Sequence, residues 1–162
     1  MNNVQYNSIL NEYRTAGTDD ERTEALASLS EVKDLELLKR TLALPLSDEV
    51  KTQDICVSIS RTQTVPGGAE LLWEWMCTNW EELEKRLPAG LGMLGYVVRF
   101  CTVGFSDPQW VDKINQFFAQ HSTKGFEMTL EQTMDDIRVK ARWVQRETED
   151  VKTWLKENGY LS

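Results

Sequence analysis

Residues Pro66 to Leu83 read P-G-G-A-E-L-L-W-E-W-M-C-T-N-W-E-E-L and hold three of the chain's six tryptophans. After the Pro-Gly-Gly opening nothing in this stretch breaks a helix. Trp73, Met76, Trp80, Leu83 and Leu87 recur at alternating spacings of 3 and 4, which is one helical face and predicts a helix over 66–87. Leu72 flanks that stripe, whereas Leu71 and Trp75 lie well around from it. The first turns are therefore apolar over an arc of about 200°, wider than the roughly 100° stripe of a helix packed on one side. Such a helix is expected between neighbours on more than one side, which points to stacked helical pairs.

Helix punctuation continues outward from it in both directions. Asn2 to Thr15 carries Tyr6, Ile9, Leu10 and Tyr13 on one face and ends near Gly17. Thr18-Asp19-Asp20-Glu21 is a capping box, in which Thr18 and Glu21 satisfy each other's free amides. Asp34 precedes Leu35, Leu37, Leu38 and Leu42, a run that Pro45 stops. A helix is expected from about Val50 to Arg61, and Ala89-Gly90-Leu91-Gly92 breaks the chain before a segment from Met93 to Val103. Asp107-Pro108 reads as an N-cap with Pro at the first helical position. Thr129-Leu130-Glu131-Gln132 reads as a second capping box, opening the longest helix.

In that last helix Leu130, Met134, Ile137, Ala141, Val144, Thr148, Val151 and Leu155 alternate spacings of 4 and 3 without a slip. Trp143 and Trp154 widen the stripe beyond a two-stranded seam, so core packing is the plainer reading than a coiled-coil dimer. Gly159 is its C-cap. Strand signals are weak throughout. The fold expected is all-α, with about eight helices in antiparallel pairs forming a right-handed HEAT- or armadillo-like solenoid in one domain over 1–162. A compact bundle is the other arrangement that fits.

With 27% charged and 41% hydrophobic residues, the chain has the composition of a globular domain and no run long enough to span a membrane. Met1 to Tyr6 has no basic region followed by an apolar block, so no signal peptide is expected. A net charge of −8 argues against nucleic-acid or anionic-membrane partners. Cys56, Cys77 and Cys101 stand 21 and 24 residues apart, with no C-x-x-C and the single His121. That pattern argues against zinc or another cofactor in this chain and for a reducing, cytoplasmic compartment.

Catalytic motifs are missing: there is no H-E-x-x-H, no G-x-S-x-G and no glycine-rich phosphate loop. His121 reads as a helix-end residue rather than a general base. Asp19-Asp20-Glu21 and Glu81-Glu82-Glu84 read as a helix N-terminus and a solvent face rather than paired catalytic acids. The basic residues hold more interest. Arg138, Arg142 and Arg146 are spaced four apart. Pairing of Asp135 with Arg138 and of Arg146 with Asp150 would account for part of the set. Arg138, Arg142 and Arg146, with Lys51, Arg61 and Arg99, are nonetheless candidates to receive a peptide carboxylate, which a planar guanidinium can bind through two hydrogen bonds.

The tryptophan stretch resembles the C-terminal helical, ERAP-type domain of the gluzincin zinc aminopeptidases, closest to the puromycin-sensitive branch and its fungal alanine/arginine aminopeptidase relatives. The matching positions are Gly68-Ala69, Trp73, Trp75, Asn79-Trp80 and Glu81-Glu82-Leu83. Lys51-Thr52-Gln53-Asp54, Val111 to Phe118 and Thr133 to Leu155 match in the family's order. The chain departs from the pattern at Trp75, where Phe is frequent, and in the longer Thr62–Pro66 approach to the glycines.

The resemblance implies that the zinc-bearing catalytic domain lies upstream and that this chain is non-catalytic. Its implied role is to wall the chamber over the active site, limit substrate size and hold the distal end of the peptide. Its implied partners are the catalytic domain of the same polypeptide and the peptide substrate. The competing reading is a free-standing helical-repeat adaptor that binds a protein or peptide segment.

Overall fold

The first helix, α1 (Asn3–Thr15), starts where the Asn2 side chain accepts from the Gln5 amide and the Gln5 side chain accepts from the Asn2 amide. Its buried face is Tyr6, Leu10 and Tyr13. The expected capping box opens α2 (Asp19–Leu29), with Thr18 and Glu21 bonded reciprocally at 3.2 Å. Asp34 caps α3 (Leu35–Ala43) by accepting from the amides of Glu36 and Leu37. The chain is described here from a computed structural model that covers residues 1–87 and 92–161. The expected break at Ala89-Gly90-Leu91 therefore lies outside the described residues.

Five sequence expectations are corrected. The helix expected over 50–61 is a 3-10 turn at Thr52–Asp54, a short α4 (Ile55–Ile59) and a second 3-10 turn at Thr62–Thr64. β-Branched residues crowd this stretch, and the hydroxyls of Ser58, Ser60 and Thr64 bond back to carbonyls three residues earlier. Those local bonds compete with helix continuation. The buried Thr62 hydroxyl also donates to Ser30 O across the fold at 3.1 Å.

The tryptophan stretch is two helices, α5 (Gly68–Thr78) and α6 (Trp80–Arg86), broken at Asn79. Asn79 leaves the helical region (φ −111°, ψ 18°), and its side-chain amide takes the Trp75 carbonyl at 2.7 Å. The break brings the α-helices among the described residues to nine, with no strand.

The last helix, α9 (Glu127–Glu157), starts two residues before Thr129, so the second capping box does not mark its beginning. Phe126 sets the start instead. It is buried against Trp80 and Phe118, at ring-centroid distances of 6.1 and 5.7 Å.

Between them lie α7 (Met93–Thr102) and α8 (Gln109–Phe118). Asp107 accepts from the Gln109 amide at 2.9 Å, so Pro108 stands just ahead of α8 rather than inside it.

The core follows chain order. The main contacts join α1 to α2, α2 to α4, α3 to α5, both α4 and α5 to α7, and both α7 and α8 to α9. The tryptophan helices sit in the middle of this series. Trp73 meets Phe105, Trp110 and Phe117 edge-on, and Trp80 meets Phe117, Phe118 and His121. Leu72, Trp73, Trp75 and Met76 are all buried, as expected for a helix enclosed on several sides. His121 stacks on Phe117, and its Nδ1 donates to the Phe117 carbonyl at 2.7 Å, closing the end of α8.

The apolar stripe of α9 is core only in its first half. Leu130, Ile137 and Ala141 are buried, but Val144 and Val151 are exposed, and among the described residues none from Arg142 onward is buried. Gly159 ends the helix with φ +78°, and the Tyr160 amide bonds back to Leu155 O at 2.8 Å.

Candidate functional site

The last turn of α1, the start of α2 and the turn after α3 bring three cations together. Arg14 ends α1 and reaches across to Glu49, its Nε and Nη2 donating to the two carboxylate oxygens at 2.7 and 3.1 Å. Glu49 is fixed from both sides. Its amide donates to the Ser47 hydroxyl, and its carbonyl accepts from the Tyr13 hydroxyl at 2.6 Å. Arg22 and Lys51 share one carboxylate, that of Asp19, at 2.8 and 3.5 Å. Tyr13, Arg14, Arg22, Glu49 and Lys51 line a cavity of about 290 Å³.

The electrostatics of this pocket follow from its pairs. The Arg14 hydrogen bond holds the Glu49 carboxyl below the ordinary carboxylate value and, in return, raises the Arg14 guanidinium. Burial pushes the Tyr13 phenol up, so it stays a protonated donor. Three cations meet the carboxylates of Glu49 and Asp19, and a third carboxylate, Asp54, acts on Tyr13, so cations and carboxylates balance around the pocket. It contains no nucleophile activated by a base.

Of the residues singled out from sequence, only Lys51 joins this cluster. Arg61 is held by Glu31 and Glu24 at 3.0 and 3.4 Å. Arg138 pairs with Asp135 at 2.7 Å as expected, but Arg146 pairs with the adjacent Glu147 at 2.6 Å rather than with Asp150. Arg142 donates to the Arg138 carbonyl at 3.3 Å, and neither it nor the exposed Arg99 has a carboxylate within 4.0 Å among the described residues. Arg138, Arg142 and Arg146 spread along about 12 Å of α9. Arg14 and Arg22 escaped the sequence reading because no period relates position 14, 22 and 51. Only the packing of α1 on α2 joins them.

Among the described residues no group of three or more His, Cys, Asp or Glu side chains is placed to hold a metal ion. No described helix is long and apolar enough to cross a membrane.

Residues 2–139 match the family model of the ERAP1-like C-terminal domain. The chain belongs to this family. It is 44% identical over 155 residues to Aminopeptidase 2, mitochondrial, of Saccharomyces cerevisiae, covering 96% of this chain and 16% of that protein. It is 38% identical to the alanine/arginine aminopeptidase of the same yeast, covering 96% of this chain and 18% of that protein. Aminopeptidase M1-D of Oryza sativa subsp. japonica is 29% identical over 143 residues, covering 88% of this chain and 16% of that protein. The chain thus spans about a sixth of the curated relatives it matches. The family match ends at Val139, inside α9 and just ahead of the point where that helix leaves the core.

Proposed function

We propose that this chain acts as the non-catalytic C-terminal domain of a zinc metalloaminopeptidase that removes N-terminal residues from peptides. The observation that carries this reading is the family match over 2–139, joined to relatives that are aminopeptidases several times its length. Its role is to wall the chamber over the active site, to limit substrate size and to hold the far end of the peptide. Its partners are the catalytic domain of the same polypeptide, which supplies the zinc, and the peptide itself. The three free cysteines, two of them part-buried and one buried, support a reducing, cytoplasmic compartment.

The chain-order packing from α1 to α9 supports a right-handed HEAT- or armadillo-like solenoid of antiparallel pairs. A solenoid offers an extended inner surface, and an arginine or lysine on it would receive a peptide carboxylate. The Arg14–Arg22–Lys51 pocket supports that role best, because its walls converge on one cavity. Arg142 and Arg99 are second, as cations with no carboxylate within 4.0 Å among the described residues. Arg61, Arg138 and Arg146 already hold carboxylates and rank below them.

The test has two parts. Purified 1–162 should hydrolyse no aminoacyl-coumarin substrate, with or without added zinc; chelator-sensitive turnover that follows this polypeptide would overturn the non-catalytic role. In the intact protein, Lys51→Ala and Arg22→Ala should raise KM for long peptides more than for single-residue substrates. Equal effects on both would sink the carboxylate assignment.

A further inference from the structure

Asn158-Gly159 is the one Asn-Gly pair in the sequence, and it ends α9. Asn158 caps the helix (φ −99°, ψ 7°), and Gly159 takes φ +78° to turn the chain away. Both are exposed, and a β-carbon on Gly159 would meet nothing among the described residues within 4 Å. The pair sits at the tip of an overhang, for α9 runs about 24 Å from Arg142 to Glu157 without a buried residue. Hydrogen bonds hold this tip closed. Asn158 N and Nδ2 both donate to the Trp154 carbonyl, at 3.1 and 2.8 Å, and Gly159 N donates to Lys156 O at 3.1 Å. Beside them the Trp154 and Tyr160 rings stack with centroids 5.8 Å apart. Apart from the half-buried Leu155, every residue of the tip is exposed, so the last turn opens at little cost.

From this we infer that Asn158-Gly159 is a self-modifying site, at which the asparagine amide is lost and the end of α9 is released. In the opened turn the Gly159 main-chain nitrogen gives its proton to solvent and attacks Cγ of Asn158. A C–N bond forms and closes a succinimide ring, the Cγ–Nδ2 bond breaks, and Nδ2 takes a proton from water and leaves as ammonia. Water then opens the ring at one or other carbonyl. One opening gives aspartate; the other gives isoaspartate, with the main chain routed through the side chain. Water is the only co-reactant, and nothing is oxidised or reduced. Glycine in second place leaves the attacking nitrogen unshielded and lets the backbone reach the angles the ring requires. The residue that stops the helix therefore also opens its cap to attack.

Asn7-Ser8 is the comparison within the chain, since serine is also small. It lies inside α1, where helical geometry keeps the Ser8 nitrogen away from the Asn7 side chain, and Asn7 Oδ1 accepts from Arg40 Nη2 at 3.1 Å. Asn158 has an open path to the ring and Asn7 does not. Either product at 158 puts a new carboxylate beside Glu157 at the negative end of the helix dipole and removes the Nδ2 donor from Trp154 O. Isoaspartate also adds a main-chain carbon ahead of Gly159, which carries the Gly159 and Tyr160 amides away from their acceptors on Lys156 and Leu155. The Trp154–Tyr160 stack loses its support with them.

Ageing 1–162 at pH 8, followed by peptide mass spectrometry, tests the inference, with a free peptide of residues 154–161 as the fully open reference. Asn158 should convert to a mixture of aspartate and isoaspartate while Asn7 keeps its amide. The isoaspartate should accept a methyl group from S-adenosylmethionine through an isoaspartyl carboxyl methyltransferase, and Asn158→Gln should abolish that acceptance. Gly159→Ala should slow the conversion about 10-fold. An Asn158 that keeps its amide after the free peptide has fully converted overturns the inference. Conversion to aspartate alone does the same, because that is direct hydrolysis, and so does a rate that Gly159→Ala leaves unchanged. Indole resonances of Trp154 that do not move between the fresh and the isoaspartyl chain overturn the release of the helix end.

Discussion

Gly68 lies so close to the Thr62 carbonyl that a β-carbon there would sit 2.0 Å from the oxygen. The obstacle is backbone, so no side-chain rotation relieves it. Gly67 before it holds φ +76°, and together they turn the chain from the Thr62–Thr64 turn into α5. Gly68→Ala should therefore cost about 3 kcal/mol, at the upper end of overpacking changes. Gly92→Ala is the comparison: its φ is +68° but nothing among the described residues lies within 4 Å, so conformational strain of about 1 kcal/mol is the expected cost. Urea unfolding midpoints of the two variants check the difference, and equal losses would refute the close-approach account.

The tryptophans divide by environment. Trp80 is 2% exposed and meets four aromatic rings edge-on. Trp80→Ala should cost roughly 3–5 kcal/mol of stability, as large-to-small core changes do. Trp143→Ala in the same 162-residue chain should change stability by less than about 0.5 kcal/mol, because the indole stands on the overhang. Thermal unfolding measures both. A large loss from Trp143→Ala in the isolated chain would place that residue in a core or interface of the chain itself.

The same residues show how far the sequence could be read. The width of the apolar arc around Trp73 and Trp75 gave the enclosed helix, and Thr18 and Asp34 gave two helix starts to the residue. The break at Asn79 was hidden because a side-chain amide taking its own helix's carbonyl leaves the apolar period intact. Phe126 displaced the start expected at Thr129 through a contact with Trp80, 46 residues away in the chain, which no local motif records. Periodicity could not tell the buried first half of α9 from the exposed second half, since the stripe is the same in both. The pocket around Lys51 was half legible. Its cation stood out against an acidic chain, but Arg14 and Arg22 join it only through tertiary packing.

Cysteine reactivity gives a further check on the packing. Burial pushes the thiols of Cys56 and Cys77 up to about 11 from an ordinary 9.0, and raises that of the fully buried Cys101 well above 9.0. At pH 8 the thiolate fraction of Cys56 and Cys77 is then about 100-fold below that of an ordinary thiol, and the thiolate is the nucleophile. Native 1–162 should react with a disulfide reagent at least 10-fold more slowly than the urea-unfolded chain, with Cys101 last. Rapid labelling of Cys101 before unfolding would contradict its burial on α7 where α4 and α5 pack against that helix.

The Arg14–Glu49 pair fixes the sign of one pH effect. The Glu49 carboxyl has a folded-state value below its ordinary 4.5, because the Arg14 guanidinium donates to it. Folding therefore favours the ionised form. The stability this contributes is present in full above about pH 4.5 and is lost as pH falls through the lower folded-state value. Both side chains are more than a third exposed, so solvent screening limits the pair to about 0.5 kcal/mol. Glu49→Gln should lower stability by about that amount at pH 7 and by less near pH 3, where the wild-type carboxylate is itself being protonated. Urea unfolding of both proteins across pH 3–7 gives the two curves. They should converge toward acid. Divergence toward acid would mean that the carboxyl is destabilising when ionised, and that the Arg14 contact does not hold Glu49 in the pocket.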